Sequence, residues 1–199
     1  MNDPAGASPR RAVALAGHLG DLELARGAMS DPDPAIRATA LGAMRRLELL
    51  TPDDLRSALT DRDPEVRRRA AQLAATERSV DLTATLDDPD TLVAEMAAWA
   101  CGEHEQVPEA TFTRLVELAT DHCDPLVREA CIAALGAIGD ERARDAVLAG
   151  TRDKPAIRRR AVIALVAFDG PEVEEALRRA LDDKDWQVRE AADELLREI

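Results

Sequence analysis

DHCDPLVREACIAALGAIGDERARDAVLAG, residues 121–150, decides the fold, because versions of it recur along almost the whole chain. Asp124 stands where a helix N-cap is wanted, and Pro125 occupies the first helical position, where a missing N–H costs nothing. Val127, Ala130, Cys131, Ala134, Leu135 and Ile138 then recur at three- and four-residue spacing and make one apolar helix face. Gly139 suits a left-handed C-cap, and Asp140 opens a second helix with a small-residue face of Ala143, Ala146, Val147 and Gly150. Two such helices cannot bury their faces alone, so the unit requires copies of itself stacked on either side.

The copies are aligned by a β-branched anchor at Ile36, Val66, Val93, Val127, Ile157 and Val188, with successive steps of 30, 27, 34, 30 and 31 residues. An Asp-rich turn precedes each anchor: DPDP, DRDP, DDPD, DHCDP, RDKP and DDKD in chain order. An Arg follows most of them, with Ala94 as the exception. Anchor helices are expected at about 34–47, 64–76, 90–104, 124–138, 155–168 and 185–198, with shorter helices near 21–30, 52–59, 80–86, 108–119, 141–150 and 171–181. A further helix at 8–19 matches the anchor helices, and no segment reads as strand. The expected fold is all-α, a solenoid of about six helix pairs plus the N-terminal helix. Residues 1–7 read as a disordered leader and 8–199 as one solenoid domain with a continuous core.

Composition agrees with close helix stacking. Hydrophobic residues make up 46% of the 199, mostly Ala, Leu and Val, with Phe and Trp twice each and no Tyr. No apolar run reaches membrane-spanning length and the N-terminus lacks a signal-peptide core, so a soluble cytoplasmic protein is expected. Of three cysteines, Cys101 and Cys131 fall on apolar helix faces, and no disulfide framework is implied. A net charge of −13 argues against a broad nucleic-acid or anionic-membrane surface. Lysine occurs only as Lys154 and Lys184, an Arg bias associated with high-GC bacterial coding.

An Asp and Pro turn, a β-branched residue, Arg and then AxxALGxIGD resembles the HEAT repeat, in the short version found in phycobilin lyases and many bacterial proteins. VREACIAALGAIGD at 127–140, IRRRAVIALVAFDG at 157–170 and VREAADELLREI at 188–199 carry the resemblance best, and it extends over residues 8–199. It implies an all-α, right-handed α-α superhelix that serves as a noncatalytic protein-binding scaffold without cofactor or metal. Alternatives by the same resemblance are a phycobilin-lyase-like chromophore binder and a nucleic-acid-binding HEAT protein.

Several constellations bear on those readings. A first-turn Arg sits badly against the positive end of a helix dipole, so Arg37, Arg67, Arg128, Arg158 and Arg189 are expected to pair with turn carboxylates as a structural ladder. The runs Arg67–Arg69 and Arg158–Arg160 invite a DNA reading, but Asp61, Asp63, Glu65 and Asp153 lie beside them and few aromatics can stack on bases. His104 and Glu105 form one HE pair of the type that HEAT-repeat di-iron hydroxylases carry several times, and a single pair is no di-iron site. His122, Cys123 and Asp124 adjoin in a turn without the CxxC or HxxxH partner a metal would need.

If the apolar face of 124–138 is the core, Glu129, Ile132, Ala133 and Gly136 form the opposite stripe, and the same phase gives Glu95, Ala98, Trp99, Gly102 and Arg159, Val162, Ile163, Val166 on the neighbours. In HEAT solenoids the anchor helices line the concave side. Trp99, Ile132, Val162, Ile163 and Val166 are therefore candidate partner-binding residues, with side-by-side packing of the anchor helices as the competing explanation. The partner expected for an acidic chain is another protein, of basic character.

Overall fold

A computed structural model describes residues 8–104 and 106–198, and every regular element in it is helical. The leader expected at 1–7, and Glu105 of the HE pair, lie outside the described residues. The chain divides into two compact units, residues 1–80 and 81–199. No helix among the described residues is long and apolar enough to cross a membrane.

The first unit holds α1 (Pro9–Leu19), α2 (Leu22–Ala28), α3 (Pro34–Arg46), α4 (Pro52–Ala58) and α5 (Pro64–Ala74). Helices α1, α3 and α5 pack side by side, with α2 and α4 against α3 and α5. The second unit holds α6 (Thr91–Gly102), α7 (Glu109–Asp121), α8 (Pro125–Ile138), α9 (Arg144–Gly150), α10 (Pro155–Ala164), α11 (Pro171–Ala180) and α12 (Trp186–Glu198). Here α6, α8, α10 and α12 form the row, and α7, α9 and α11 form the second layer. All six β-branched anchors are buried, each contributing about 1.5–3 kcal/mol of apolar burial.

The Asp-rich turns work as two linked caps. The first acid closes an Asx turn onto the N–H two residues on, as Asp31 does to Asp33 (2.8 Å), Asp61 to Asp63 (2.9 Å) and Asp183 to Asp185 (2.8 Å). The second acid then caps the helix, as Asp33 does at the Ala35 N–H and Asp63 at the Glu65 N–H. In DHCDP the first acid is missing, and His122 Nδ1 accepts the Asp124 N–H at 3.1 Å instead.

Gly139 ends α8 at φ +67°, with its N–H on the Leu135 carbonyl, and Gly20 does the same for α1 at φ +81°. The helix expected near 80–86 is instead a 3-10 helix, Thr83–Asp87. The step from Val66 to Val93 is the shortest in the chain, and Asp81 Oδ1 takes both the N–H and the hydroxyl of Thr83, a local bond that competes with helix. Leu82 and Leu86 nevertheless bury themselves as a helix would. The helix expected at 155–168 likewise closes early, with 165–167 as a 3-10 turn ahead of extended Phe168.

Candidate functional site

The row of anchor helices in the second unit leaves one stripe open to solvent, and the anchor phase identifies it. Residues one before the anchor (Leu92, Leu126), two after (Glu95, Glu129, Arg159) and six after (Trp99, Ala133, Ile163) stand on this stripe, all exposed or half-buried. Trp99 is 41% exposed and Val166, nine after its anchor, 62%.

Two of the expected partner-binding residues are elsewhere. Ile132 and Val162, five after their anchors, are both 0% exposed, as is Ala98 at the same place. The physical reason is the width of the buried arc: a helix inside a row meets a neighbour on each flank as well as the second layer, so more than one face is covered. Ile132 Cδ1 reaches Gly150 at the end of α9, in space that a Cβ there would fill. In the chain-terminal α12 the matching residue, Asp193, is exposed. Ile132 and Val162 are thus core residues, while Trp99, Ile163 and Val166 reach the surface.

The stripe encloses a groove of about 380 Å³. Its floor is small: Ala133 of α8 stands where α6 and α10 carry Trp99 and Ile163, and Ala137 lies one turn on, leaving a trough beside Trp99. Gly102 permits the close approach of α6 to α8, since a Cβ there would meet Ala134 Cα at 2.9 Å. Leu126 closes one end, a residue the sequence reading passed over although it lies one turn before Glu129 and Ala130 on the same stripe. The rim is charged. Glu95 and Glu103 stand on the Trp99 side, and Glu129 on the other, 3.7 Å from Arg160. Helix α6 has no basic residue in its last turn, so its negative dipole end adds to the Glu103 charge. An indole face beside carboxylates suits a cationic side chain.

The ladder arginines lie between helices, away from this groove. Arg37 donates from Nε and NH2 to Asp61 (2.9 and 2.7 Å), Arg128 to Asp153 (2.7 and 2.9 Å) and Arg158 to Asp183 (2.8 and 2.7 Å). Each also returns to its own turn: Arg37 to the Asp31 carbonyl, Arg128 to that of His122 and Arg158 to that of Asp153. Arg67 donates to the Asp61 carbonyl and Arg189 to the Asp183 carbonyl. A turn aspartate such as Asp153 therefore takes one arginine on its carboxylate and the next on its carbonyl. Hydrogen bonds from the partner arginines hold Asp153 and Asp183 below the usual carboxylate range. For Asp61 burial is the largest single influence and pulls upward, but the hydrogen bonds from Arg37 and the Asp63 N–H, with the nearby arginine charges, together bring it below the usual range.

His104 is buried just beyond α6. Among the described residues no three His, Cys, Asp or Glu side chains gather as a metal site would require. Burial pushes the Cys101 and Cys131 thiols up to about 12, so both pack as small neutral groups.

Comparison with known proteins agrees with this geometry. No curated protein matches the chain. Among solved structures, the Escherichia coli protein YibA aligns over 94% of this chain and 74% of its own, at 23% identity and a TM-score of 0.68. An engineered protein aligns over 89% and 95% at 19% identity (TM-score 0.62), and a designed armadillo repeat protein over 88% and 98% at 16% (TM-score 0.59). These likenesses, all below a quarter identity, establish an α-solenoid fold. The family described as HEAT repeats matches residues 79–156 and 148–199, which together exceed half of the sequence. With buried anchors, capped Asp turns and paired helices as its repeating unit, the chain belongs to the HEAT-repeat family.

Proposed function

We propose that the protein is a noncatalytic interaction scaffold that takes a basic segment of another protein in the groove beside Trp99. The observation that supports this reading is the half-open indole over a small-residue trough rimmed by Glu95, Glu103 and Glu129. Exposed Trp is costly to leave in water and dominates interface hot spots, while the flanking Ile163 and Val166 extend the apolar area. Free buried thiols at Cys101 and Cys131 fit a reducing compartment such as the cytoplasm.

Peptides selected from a random display library on the intact protein test the reading. A set enriched in Lys and Arg should lose binding in Trp99→Ala and in Val166→Asp, with circular dichroism and Tm unchanged, because both side chains are surface groups. Retained affinity in both variants would overturn the assignment of the groove.

A further inference from the structure

The first unit carries a face of opposite character. On α3 and α5, Arg45, Arg46, Arg68 and Arg69 occupy the anchor-relative positions that hold Gly102, Glu103, Glu95 and Met96 on α6, and Arg10 lies in the first turn of α1. Their side chains interlock across the helices: Arg10 Nε donates to Thr39 Oγ1 (3.2 Å), and Arg45 NH2 to Thr76 Oγ1 (3.0 Å). Arg69 lies over Gly42, where a Cβ would meet its NH2 at 2.6 Å, and donates to Gln72 (2.6 Å). None of the five has a carboxylate within ion-pair distance among the described residues. Elsewhere in the same unit Arg26, Arg37 and Arg56 each pair with an aspartate at 2.6–2.7 Å. In a chain of net charge −13, five arginines on one face without an ion pair among the described residues form a net positive surface, with the Glu77 carboxylate felt only at its Arg45 edge. Burial and the charge of Arg46 both push the Arg69 guanidinium below its ordinary value, so an anion seated between the two relieves a repulsion.

We infer that this arginine face docks an acidic, Asp- and Glu-rich segment of another protein. Three features favour a polypeptide over a nucleic acid. Residues 8–80 contain no Phe, Tyr or Trp on which a base could stack. Three helices in a row span about 20 Å, the reach of about six extended residues. The net charge of −13 repels a long polyanion that continues past this face. The inference stands on the first unit alone and is independent of the Trp99 groove.

The test is fluorescence anisotropy of the full chain with a labelled acidic peptide of about eight residues, alternating Glu and Asp, beside a Gly-Ser peptide and an oligodeoxythymidine of equal charge. The acidic peptide should bind and weaken as salt rises from about 50 to about 200 mM. Arg46→Glu with Arg69→Glu should lower its affinity about tenfold or more, whereas Trp99→Ala should leave it unchanged. Should the double variant lose its helical circular dichroism, the exposed Arg68→Glu decides by the direction of the same change. Binding no better than the Gly-Ser control, affinity unaltered in the folded arginine variants, or tighter binding of the oligonucleotide would each overturn the proposal.

Discussion

Arg128 and Asp153 meet through two hydrogen bonds, Nε to Oδ2 at 2.7 Å and NH2 to Oδ1 at 2.9 Å, across 25 residues of sequence. The fork joins the first turn of α8 to the turn that starts α10, while NH1 of the same guanidinium holds the carbonyl of His122 at 2.6 Å. One side chain thus ties two consecutive Asp turns, and it does so where solvent competes little, at 12% and 25% side-chain exposure.

Arg128→Ala should therefore destabilise the fold by about 2–3 kcal/mol, because it leaves a half-buried carboxylate and two turn carbonyls without their donor. Arg178→Ala should cost no more than about 0.5 kcal/mol, since the Arg178–Glu174 pair lies on the surface of α11 with both partners largely exposed. Urea denaturation of the two variants checks the difference, and equal midpoints would remove the tie from the stability of the molecule.

The same pairs set the response to acid. Asp153 and Asp183, with Asp61, have folded-state pKa values below the ordinary value, so their pairing stabilises the fold above about pH 3.9, the unfolded value. As pH falls through the lower folded values the unfolded chain binds more protons, and that stability is lost. Tm should fall from about pH 4 downward. Asp153→Asn should lower Tm at neutral pH and flatten the acid limb, and an unchanged limb would count against the pairs as its source.

Much of this was legible before any coordinates, and the exceptions share a physical cause. Anchor spacing and Asp turns are local signals, so the helix pairs could be placed from them. The register of the arginine fork is nonlocal, yet the sequence carries a trace of it: Ala94 replaces the Arg of its repeat, and the following turn carries His122 in place of its first Asp. Both halves of that rung are absent together, while His122 still closes its turn through Nδ1 and still offers its carbonyl to Arg128. What periodicity misjudged was the width of the buried arc. A single helix read alone has one core face, whereas α8 is flanked by α6 and α10 and backed by α7 and α9, which removes Ile132 from the surface and sends Val162 of α10 inward as well. The arginine face of the first unit was hidden by net charge and by adjacent acids: Glu65, Asp61 and Asp63 sit beside Arg68 and Arg69 in sequence, but the two turn aspartates cap the helix or accept Arg37.

Glu48 closes α3 at the place where Gly139 closes α8, twelve residues after the respective anchors Ile36 and Val127. It adopts φ +60°, the only positive φ at a non-glycine residue among those described, and the Leu49 N–H turns back to the Met44 carbonyl at 3.0 Å. A side chain in the left-handed region costs about 1–2 kcal/mol relative to glycine, from the clash of Cβ with the following carbonyl. The Glu48 side chain is exposed and forms no hydrogen bond or ion pair among the described residues that would offset this cost. Glu48→Gly should therefore raise stability by about 1 kcal/mol, less a part returned as the greater freedom of glycine in the unfolded chain. Gly139→Ala should lower it by a similar amount, since nothing crowds that position closer than Ala167 at 3.8 Å and the backbone angle alone supplies the penalty. Thermal melts of the two single variants and their combination should give opposite shifts that add, because the two caps belong to different units. Destabilisation by Glu48→Gly would mean that the unfolded-state entropy outweighs the relief at the helix end.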